Sequence, residues 1–128
     1  MKKQYPLISV ITVSYNAVST IEDTILSVIN QTYPNIEYII IDGGSADGTV
    51  DIIEKYVDRI SYWVSEPDKG IYDAMNKGLK VANGDWAIFM GSDDVFFNNK
   101  VIMLVIERIL IPDNIYYGNV ILKTSHKL

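Results

Sequence analysis

The sequence predicts an α/β fold: a Rossmann-like, mostly parallel sheet with helices on both of its faces. Short β-branched apolar runs, typical of strands buried on both faces, alternate with segments of helical periodicity. Polar turns separate the two kinds of segment. The strand runs cover residues 7–13, 36–41, 60–64, 86–90 and 115–122. Such alternation favours right-handed βαβ units. We therefore expect one domain over residues 5–128.

Four helices are expected between these strands. The first should begin with a capping box of Ser19 and Glu22, followed by apolar residues at positions 21, 25, 28 and 29. The second has apolar residues at positions 50, 53, 57 and 60, and the third covers residues 71–82. The fourth follows a cap at Asn98 or Asn99 and runs to residue 110, before a turn at residues 112–113.

Composition excludes several classes of function. With 11 basic and 16 acidic residues, the net charge of −5 makes nucleic acid an unsuitable partner. There is no cysteine, which excludes disulfides, zinc–thiolate sites and cysteine nucleophiles and favours a reducing compartment, the cytoplasm. The apolar stretch 101–111 contains Glu107 and Arg108 and is far shorter than the roughly 20 residues of a membrane span. We expect no such span.

Polar residues follow four of the predicted strands. They occupy positions 14–16, 42–45, 65–70 and 91–94. In an open parallel sheet, ligands bind outside the carboxyl ends of the strands. The chemistry of this protein is therefore expected at that edge.

Asp93 and Asp94 place two carboxylates side by side after the strand at 86–90. Adjacent like charges favour a cation between or beside them. An oxygen-only pair suits Mg²⁺ or Mn²⁺, which keep waters and take substrate phosphates as further ligands. The alternative is a solvated turn that caps the next helix.

The turn of Asp42, Gly43, Gly44 and Ser45 is a candidate nucleoside site. Its carboxylate can accept from ribose or base, and its glycines can take positive φ and let the backbone approach a ligand. The alternative is an ordinary turn in which Asp47 or Thr49 caps a helix. Neither G-x-G-x-x-G nor G-x-x-x-x-G-K-[ST] occurs at a strand end, which argues against NAD-dependent oxidoreductases and P-loop proteins.

Two further side chains are candidates. Tyr15 follows the first strand, where its ring can stack on a base, or it is a core or rim tyrosine. Lys69, between Asp68 and Gly70, is placed to meet a phosphate at a helix N-terminus, or it is a solvated lysine. His126 is the only histidine and is given no role because it lies near the chain end.

Several ordered motifs resemble family 2 glycosyltransferases with the GT-A fold. Residues 9–16, 29–33 and 39–49 resemble the opening of that family. Residues 65–78 are similar to the branch that builds bacterial surface polysaccharides, and residues 92–94 (Ser-Asp-Asp) to its D-x-D-type metal motif. The resemblance spans roughly residues 7 to 122.

This resemblance implies an inverting transferase that moves a sugar from a nucleotide-diphosphate-sugar donor to a glycan or lipid-linked acceptor, at the inner face of the membrane. It implies that Tyr15 stacks on the donor base, Asp42 lies in the nucleoside pocket, Asp93 holds the ribose and Asp94 the metal. The remaining residues expected in the donor site are Asn16, Gly43, Gly44, Asp68 and Lys69.

The sequence departs from the family pattern in two places. Many relatives carry a second acid that reads the base where this chain has Gly43, so a uridine and a guanosine donor both stay open. Relatives also run about twice as far, so the general base is expected beyond Leu128 and this chain alone is expected not to transfer sugar. The competing hypothesis is a non-catalytic nucleotide-binding or interaction module. Apolar surface left uncovered would favour homo-oligomers.

Overall fold

A computed structural model describes residues 5–109 and 121–123. The strands are β1 (Ile8–Ser14), β2 (Ile36–Asp42), β3 (Tyr62–Ser65), β4 (Trp86–Gly91) and β5 (Ile121–Lys123). The helices are α1 (Ile21–Ile29), α2 (Thr49–Lys55), α3 (Ile71–Val81) and α4 (Val101–Ile109), and a 3₁₀ turn at Val57–Arg59 follows α2.

The sheet has the order β3-β2-β1-β4-β5. Strands β1 to β4 are parallel, and β5 is antiparallel to β4, which confirms the mostly parallel sheet. The chain builds outward from β1 to β3 and then returns to the other side of β1. The switch point of the topology, where α/β sheets bind ligands, therefore lies between β1 and β4.

The register brings the strand ends together at one edge. Ser14 lies beside Asp42, and Asp42 lies beside Ser65. On the other side of β1, Val13 lies beside Gly91. We call this the carboxyl edge. Asp42 is the last residue of β2, and every other predicted site residue lies on a loop that leaves this edge.

Apolar side chains cover both faces of the sheet. One face packs against α1, α2 and α4 through Ile25, Ile53 and Ile102. The other packs against α3, whose Gly78 lies so close to β1 that a Cβ there would be 2.6 Å from Ile11 Cγ2. Because successive strand residues point to opposite faces, a sheet covered on both sides needs uninterrupted apolar strands. The prediction of helices on both faces is confirmed.

The predicted capping box at the start of α1 does not form. Thr20 occupies the N-cap without a side-chain hydrogen bond to the helix. The Glu22 carboxylate instead accepts hydrogen bonds from Lys55 and from the Tyr56 hydroxyl, next to the end of α2. A tertiary contact has replaced the local one.

The second helix is shorter than its apolar spacing predicted. It ends at Lys55, and Val57 lies in the 3₁₀ turn with 48% of its surface exposed, so it is not part of a buried face. Ile60 is extended, and β3 begins at Tyr62 rather than at residue 60. The backbone N–H of Ser61 donates to the Tyr38 carbonyl, which fixes where pairing with β2 starts.

The other boundaries differ less. The structure extends β1, β2 and β4 by one residue at the carboxyl edge, and α3 ends at Val81 with Ala82 as its C-cap. Asn98 accepts a hydrogen bond from the Lys100 N–H just before α4. Residues 110–120, which include the predicted turn at 112–113 and most of the last strand, lie outside the described residues, as does His126. Over the described ranges, no helix is long and apolar enough to cross a membrane.

Candidate nucleotide and metal site

Asp42 ties together the ends of three strands. Its Oδ1 accepts from the hydroxyls of Ser14 and Ser45, each at 2.7 Å. Its Oδ2 accepts from Ser65 Oγ at 2.8 Å and from the backbone N–H groups of Gly44 at 3.1 Å and Ser45 at 2.8 Å. These donors lie on β1, β3 and the turn after β2. Five donors fill a carboxylate that offers about four lone-pair positions.

The Asp42 side chain has no exposed surface, so it is an internal support of the site. Burial raises the pKa of this carboxyl, but hydrogen bonds from Ser45, Ser14 and Ser65 outweigh that effect and hold the pKa below its ordinary value. Asp42 therefore stays ionised. A direct bond from Asp42 to ribose or base does not fit this geometry, because donors of the chain already occupy the carboxylate.

The turn after β2 needs one of its two glycines for its shape. Gly44 has φ 88°, and a Cβ there would lie 3.3 Å from the Pro67 backbone nitrogen. Gly43 does not have a positive φ, and its N–H donates to the Ser14 carbonyl at 2.8 Å. The expected positive φ is therefore found at Gly44.

Tyr15 and Asn16 follow β1 at the same edge. Tyr15 is 66% exposed, so it is not a core tyrosine. Asn16 has φ 47°, its N–H donates to Ser45 Oγ at 2.7 Å, and its Oδ1 accepts from the Ala46 N–H at 3.0 Å. These bonds fix the backbone that carries the Tyr15 ring. The ring is thereby held at the carboxyl edge with its surface open to a ligand.

The acidic loop, residues 92–94, folds back over the end of β4. A Cβ at Gly91 would lie 3.2 Å from both Asp93 Oδ1 and Asp94 Oδ2, so both carboxylates converge on that glycine. The Gly91 N–H donates to Asp94 Oδ2 at 2.9 Å. Thr24 on α1 donates to the Asp94 carbonyl at 2.6 Å and anchors the loop. Both carboxylates are exposed.

This pair of acids fits a hard divalent cation as a shared site. The donors are carboxylate oxygens, which Mg²⁺ and Mn²⁺ accept. Within the part of the chain that the structure describes, no group of three or more acidic or histidine side chains forms a complete cage. A cation held by Asp94 and Asp93 would therefore take its remaining ligands from water and substrate phosphates.

The loop between β3 and α3 carries Asp68 and Lys69. Asp68 is half-buried, and its Oδ1 accepts from the Gly70 N–H at 3.0 Å. The Lys69 N–H donates to Asp73 Oδ2 at 2.9 Å, while the Lys69 side chain is exposed. Lys77 donates to the Pro67 carbonyl at 3.2 Å and so ties the loop to α3. The Asp68 carboxylate reaches the glycine turn after β2.

Sequence reasoning did not assign roles to Ser14, Ser65 and Asp73. Ser14 and Ser65 lie inside segments expected to contain the site, but their partner Asp42 is 28 and 23 positions away. Asp73 lies beyond the segment 65–70 and accepts from the Lys69 N–H. The register of β1, β2 and β3 is the signal that identifies Ser14 and Ser65, because it sets both beside Asp42. The predicted start of the third helix at residue 71 already places Asp73 in its first turn, where an acid can accept from an N–H group that precedes the helix.

A parallel sheet with an acid-lined edge at its switch point defines an α/β domain of the nucleotide-binding class. Residues 9–126 match the model of the family described as Glycosyl transferase family 2. The chain belongs to this family. The match confirms the resemblance that the sequence motifs showed.

Curated relatives support the same family. The chain is 44% identical over 99 residues to a putative teichuronic acid biosynthesis glycosyltransferase, TuaG, of Bacillus subtilis, covering 75% of this chain and 39% of that protein. It is 42% identical over 105 residues to an uncharacterized glycosyltransferase of Mycobacterium tuberculosis, covering 81% of this chain and 40% of that protein. The chain thus spans about two fifths of the length of these relatives.

Solved structures confirm the GT-A type of fold. TarS of S. aureus matches with a TM-score of 0.70 and 28% identity, over 77% of this chain and 31% of the TarS chain. TarS has also been solved in complex with UDP-GlcNAc and with UDP. A mannosyltransferase of Pyrobaculum calidifontis, in complex with GDP-Man and Mn²⁺, matches with a TM-score of 0.76 and 22% identity, over 88% of this chain and 34% of that chain. The last likeness concerns the fold alone.

Proposed function

We propose that this chain forms the donor site of an inverting glycosyltransferase, which binds a nucleotide-diphosphate sugar together with a divalent cation. The observation that carries the proposal is that Tyr15 follows β1 and the acidic loop follows β4, the two strands that flank the switch point. An aromatic ring can stack on a base, and a cation held by the acidic loop can bind a diphosphate, so the two features fit the two ends of a nucleoside diphosphate. Membership of the family supports the transferase reaction.

The proposed substrates follow from the relatives. One relative is a putative teichuronic acid biosynthesis enzyme, and a Mycobacterium bovis relative, 30% identical over 126 residues, is a PGL/p-HBAD biosynthesis glycosyltransferase. TarS, 28% identical, has been crystallised with UDP-GlcNAc. We infer a sugar donor of the nucleoside diphosphate type and a glycan or lipid-linked acceptor in cell-surface polysaccharide synthesis.

In the proposed reaction an acceptor hydroxyl attacks C1 of the donor sugar from the side opposite the leaving group. The C1–oxygen bond to the diphosphate breaks, the acceptor proton passes to a base, and the configuration at C1 inverts. Negative charge then develops on the nucleoside diphosphate. A bound cation would supply a Lewis acid that neutralises this charge.

The described side chains have separate parts in donor binding. In this proposal Tyr15 offers its exposed face to the base, and Asp93 accepts from the ribose hydroxyls. Asp94 holds the cation, and Lys69 lies at the start of α3, where an ammonium and a helix N-terminus both favour phosphate. Asp42 acts through the loops that it positions. The protein thereby orients the donor before the acceptor arrives.

Calorimetric titration of the chain with UDP and GDP tests the proposal. With Mn²⁺ present, one of the two should bind with 1:1 stoichiometry, and excess chelator should abolish measurable binding. The reason is that the adjacent carboxylates of Asp93 and Asp94 repel a diphosphate that arrives without a cation. Equal affinity with and without chelator would contradict the metal-dependent site.

A second measurement separates transfer from binding alone. The chain is incubated with labelled UDP-sugars or GDP-sugars, Mn²⁺, and free or lipid-linked glycan acceptors. Acceptor-dependent labelling is the result expected of a complete transferase. Donor binding without labelling of any acceptor is the result expected of these 128 residues alone, and acceptor-dependent labelling would contradict that expectation.

A further inference from the structure

Gly43 opens a space that a carboxylate from another loop enters. A Cβ at Gly43 would lie 2.8 Å from Asp68 Oδ2 and 3.4 Å from Tyr15 Cδ1. The Asp68 carboxylate and the Tyr15 ring therefore flank the same point. Residue 68 is 25 positions away in sequence, and the parallel pairing of β2 with β3 brings the two loops together.

The two oxygens of Asp68 have different surroundings. Oδ1 accepts from the Gly70 N–H at 3.0 Å, which fixes the orientation of the carboxylate. Oδ2 is the oxygen that faces Gly43 and Tyr15. For Oδ2, no hydrogen-bond donor is found among residues 5–109 and 121–123. The site thus holds a fixed, half-buried acceptor beside an exposed aromatic ring.

The other acids at the carboxyl edge cannot take this position. The Asp42 carboxylate is filled by five donors, and Asp73 Oδ2 accepts from the Lys69 N–H. Asp93 and Asp94 converge on Gly91, beyond β1. Only Asp68 places a free carboxylate oxygen next to the ring of Tyr15 within the described residues.

An aromatic face with a hydrogen-bonding group at its side is the arrangement by which proteins recognise a nucleobase. A carboxylate only accepts, so it selects a base whose ring edge carries N–H groups. Uracil offers its N3–H, and guanine offers its N1–H and amino group. Cytosine can donate only through its exocyclic N4 amino group, and its ring N3 presents a lone pair that an ionised carboxylate repels, so it should bind more weakly.

We propose that Asp68 is the base-reading residue of this protein and that its Oδ2 accepts a ring N–H of the donor base stacked on Tyr15. Asp68 would then supply, from the loop after β3, the carboxylate beside position 43, where this chain has a glycine. This inference rests on the proposed donor site. It predicts selection for uridine or guanosine nucleotides over cytidine nucleotides.

Titration calorimetry with UDP, GDP and CDP at saturating Mn²⁺ tests this selection. The three ligands share ribose and diphosphate, so the ratio of their dissociation constants reports the base alone. The wild-type chain should bind UDP or GDP at least about tenfold more tightly than CDP, because a missing hydrogen bond to a charged group costs that much or more. The separate UDP and GDP titrations show which base the site takes.

The Asp68→Asn variant should lower this ratio by about tenfold to a hundredfold. Asparagine has the same shape and keeps an acceptor for the Gly70 N–H, but its amide can donate to cytosine. Asp51→Asn is the matched control, because it removes the same charge from an exposed position of α2 and should leave the ratio unchanged. Melting temperatures of both variants show whether they fold.

A double variant that moves the carboxylate from position 68 to position 43 tests the same role without relying on Asp68→Asn. Gly43 has no positive φ, so a side chain is allowed there once the Asp68 carboxylate is removed. Gly43→Asp combined with Asp68→Ala should restore the preference for UDP or GDP that Asp68→Ala loses. Gly43→Asp alone brings two carboxylates together and should weaken binding of all three ligands.

The outcomes separate this inference from the proposed function. If the wild-type chain binds none of the three nucleotides with Mn²⁺, both are overturned. If it binds them and Asp68→Asn folds with an unchanged ratio, the donor site stands and the role of Asp68 is overturned. Equal affinity of the wild type for UDP, GDP and CDP has the same consequence.

Discussion

Asp42 is the last residue of β2 and Asp94 follows β4, so both lie at the carboxyl edge, yet their surroundings are opposite. Asp42 is fully buried and accepts five hydrogen bonds from its own chain. Asp94 is exposed and its carboxylate accepts one backbone bond, from the Gly91 N–H, among the interactions described. An ionised carboxylate that is filled internally stabilises the fold, whereas one with open lone pairs can bind a ligand. The residue type alone does not distinguish these two roles.

The largest effect should come from removing the internal carboxylate. Asp42→Ala leaves three hydroxyls and two N–H groups without their acceptor, so the free energy of unfolding should fall by about 3 to 5 kcal/mol. Urea denaturation measures this loss. As a control, Ser65→Ala removes one donor and should cost about 1 kcal/mol. An unchanged midpoint for Asp42→Ala would show that Asp42 does not hold the loops together.

A variant of Asp94 tests the exposed acid of this pair. Asp94→Asn should weaken nucleotide binding in Mn²⁺ by at least about a hundredfold, because the cation loses its charged ligand. The free energy of unfolding should change by less than about 0.5 kcal/mol. Calorimetry and urea denaturation of the same sample measure both quantities.

Asp93→Asn sharpens the same test. Since Asp93 is assigned to the ribose, this variant should bind more weakly than wild type but keep its dependence on Mn²⁺. If Asp93→Asn lost the dependence on Mn²⁺ and Asp94→Asn kept it, Asp93 would be the residue that holds the metal and Asp94 the one that holds the ribose.

A smaller effect is expected at the turn that brings Asp42 its donors. Gly44 has φ 88°, so Gly44→Val should cost about 1 to 3 kcal/mol of stability and weaken nucleotide binding. Gly43→Ala is the control, because Gly43 has no positive φ and a Cβ there meets only side-chain atoms of Asp68 and Tyr15, so the loss of stability should be smaller than in Gly44→Val. Equal losses in the two variants would mean that the conformation of Gly44 is not what the turn requires.

The smallest effect concerns acid stability. The pKa of Asp42 is lower in the folded chain than its ordinary value, so the stability that it contributes is present above that ordinary value. This stability is lost as the pH falls through the lowered folded pKa. Below pH of about 4, the free energy of unfolding should fall less steeply in Ser65→Ala than in wild type, because a donor to the carboxylate is missing. Denaturation at several acidic pH values measures the two slopes, and identical slopes would contradict the assignment.

Much of the fold was readable from the sequence because each strand is a separate apolar run. The runs at 7–13, 36–41 and 86–90 each fall within one residue of β1, β2 and β4. Local patterns failed where a distant partner competed with them. The carboxylate of Glu22 bonds Lys55 and Tyr56 rather than capping α1, and Val57 lies exposed in a 3₁₀ turn.

The site was readable in part for a similar reason. Polar residues after buried strands must meet at the carboxyl edge of a parallel sheet, so residues 14–16, 42–45, 65–70 and 91–94 were expected there. Which acid is buried and which is open was not readable. That distinction depends on hydroxyls of Ser14 and Ser65, which reach Asp42 from neighbouring strands.

The sequence by itself determined the alternation of strands and helices, the family, and the set of polar residues at one edge, because these follow from local periodicity and from motifs that are continuous along the chain. Only the tertiary structure decided that Asp42 is internal, that Asp93 and Asp94 converge on Gly91, and that Asp68 enters the space beside Gly43 and Tyr15. Each of these depends on strand order and register. A contact between loops 25 or more residues apart is set by the pairing of the strands that carry them, and a linear pattern does not contain that pairing.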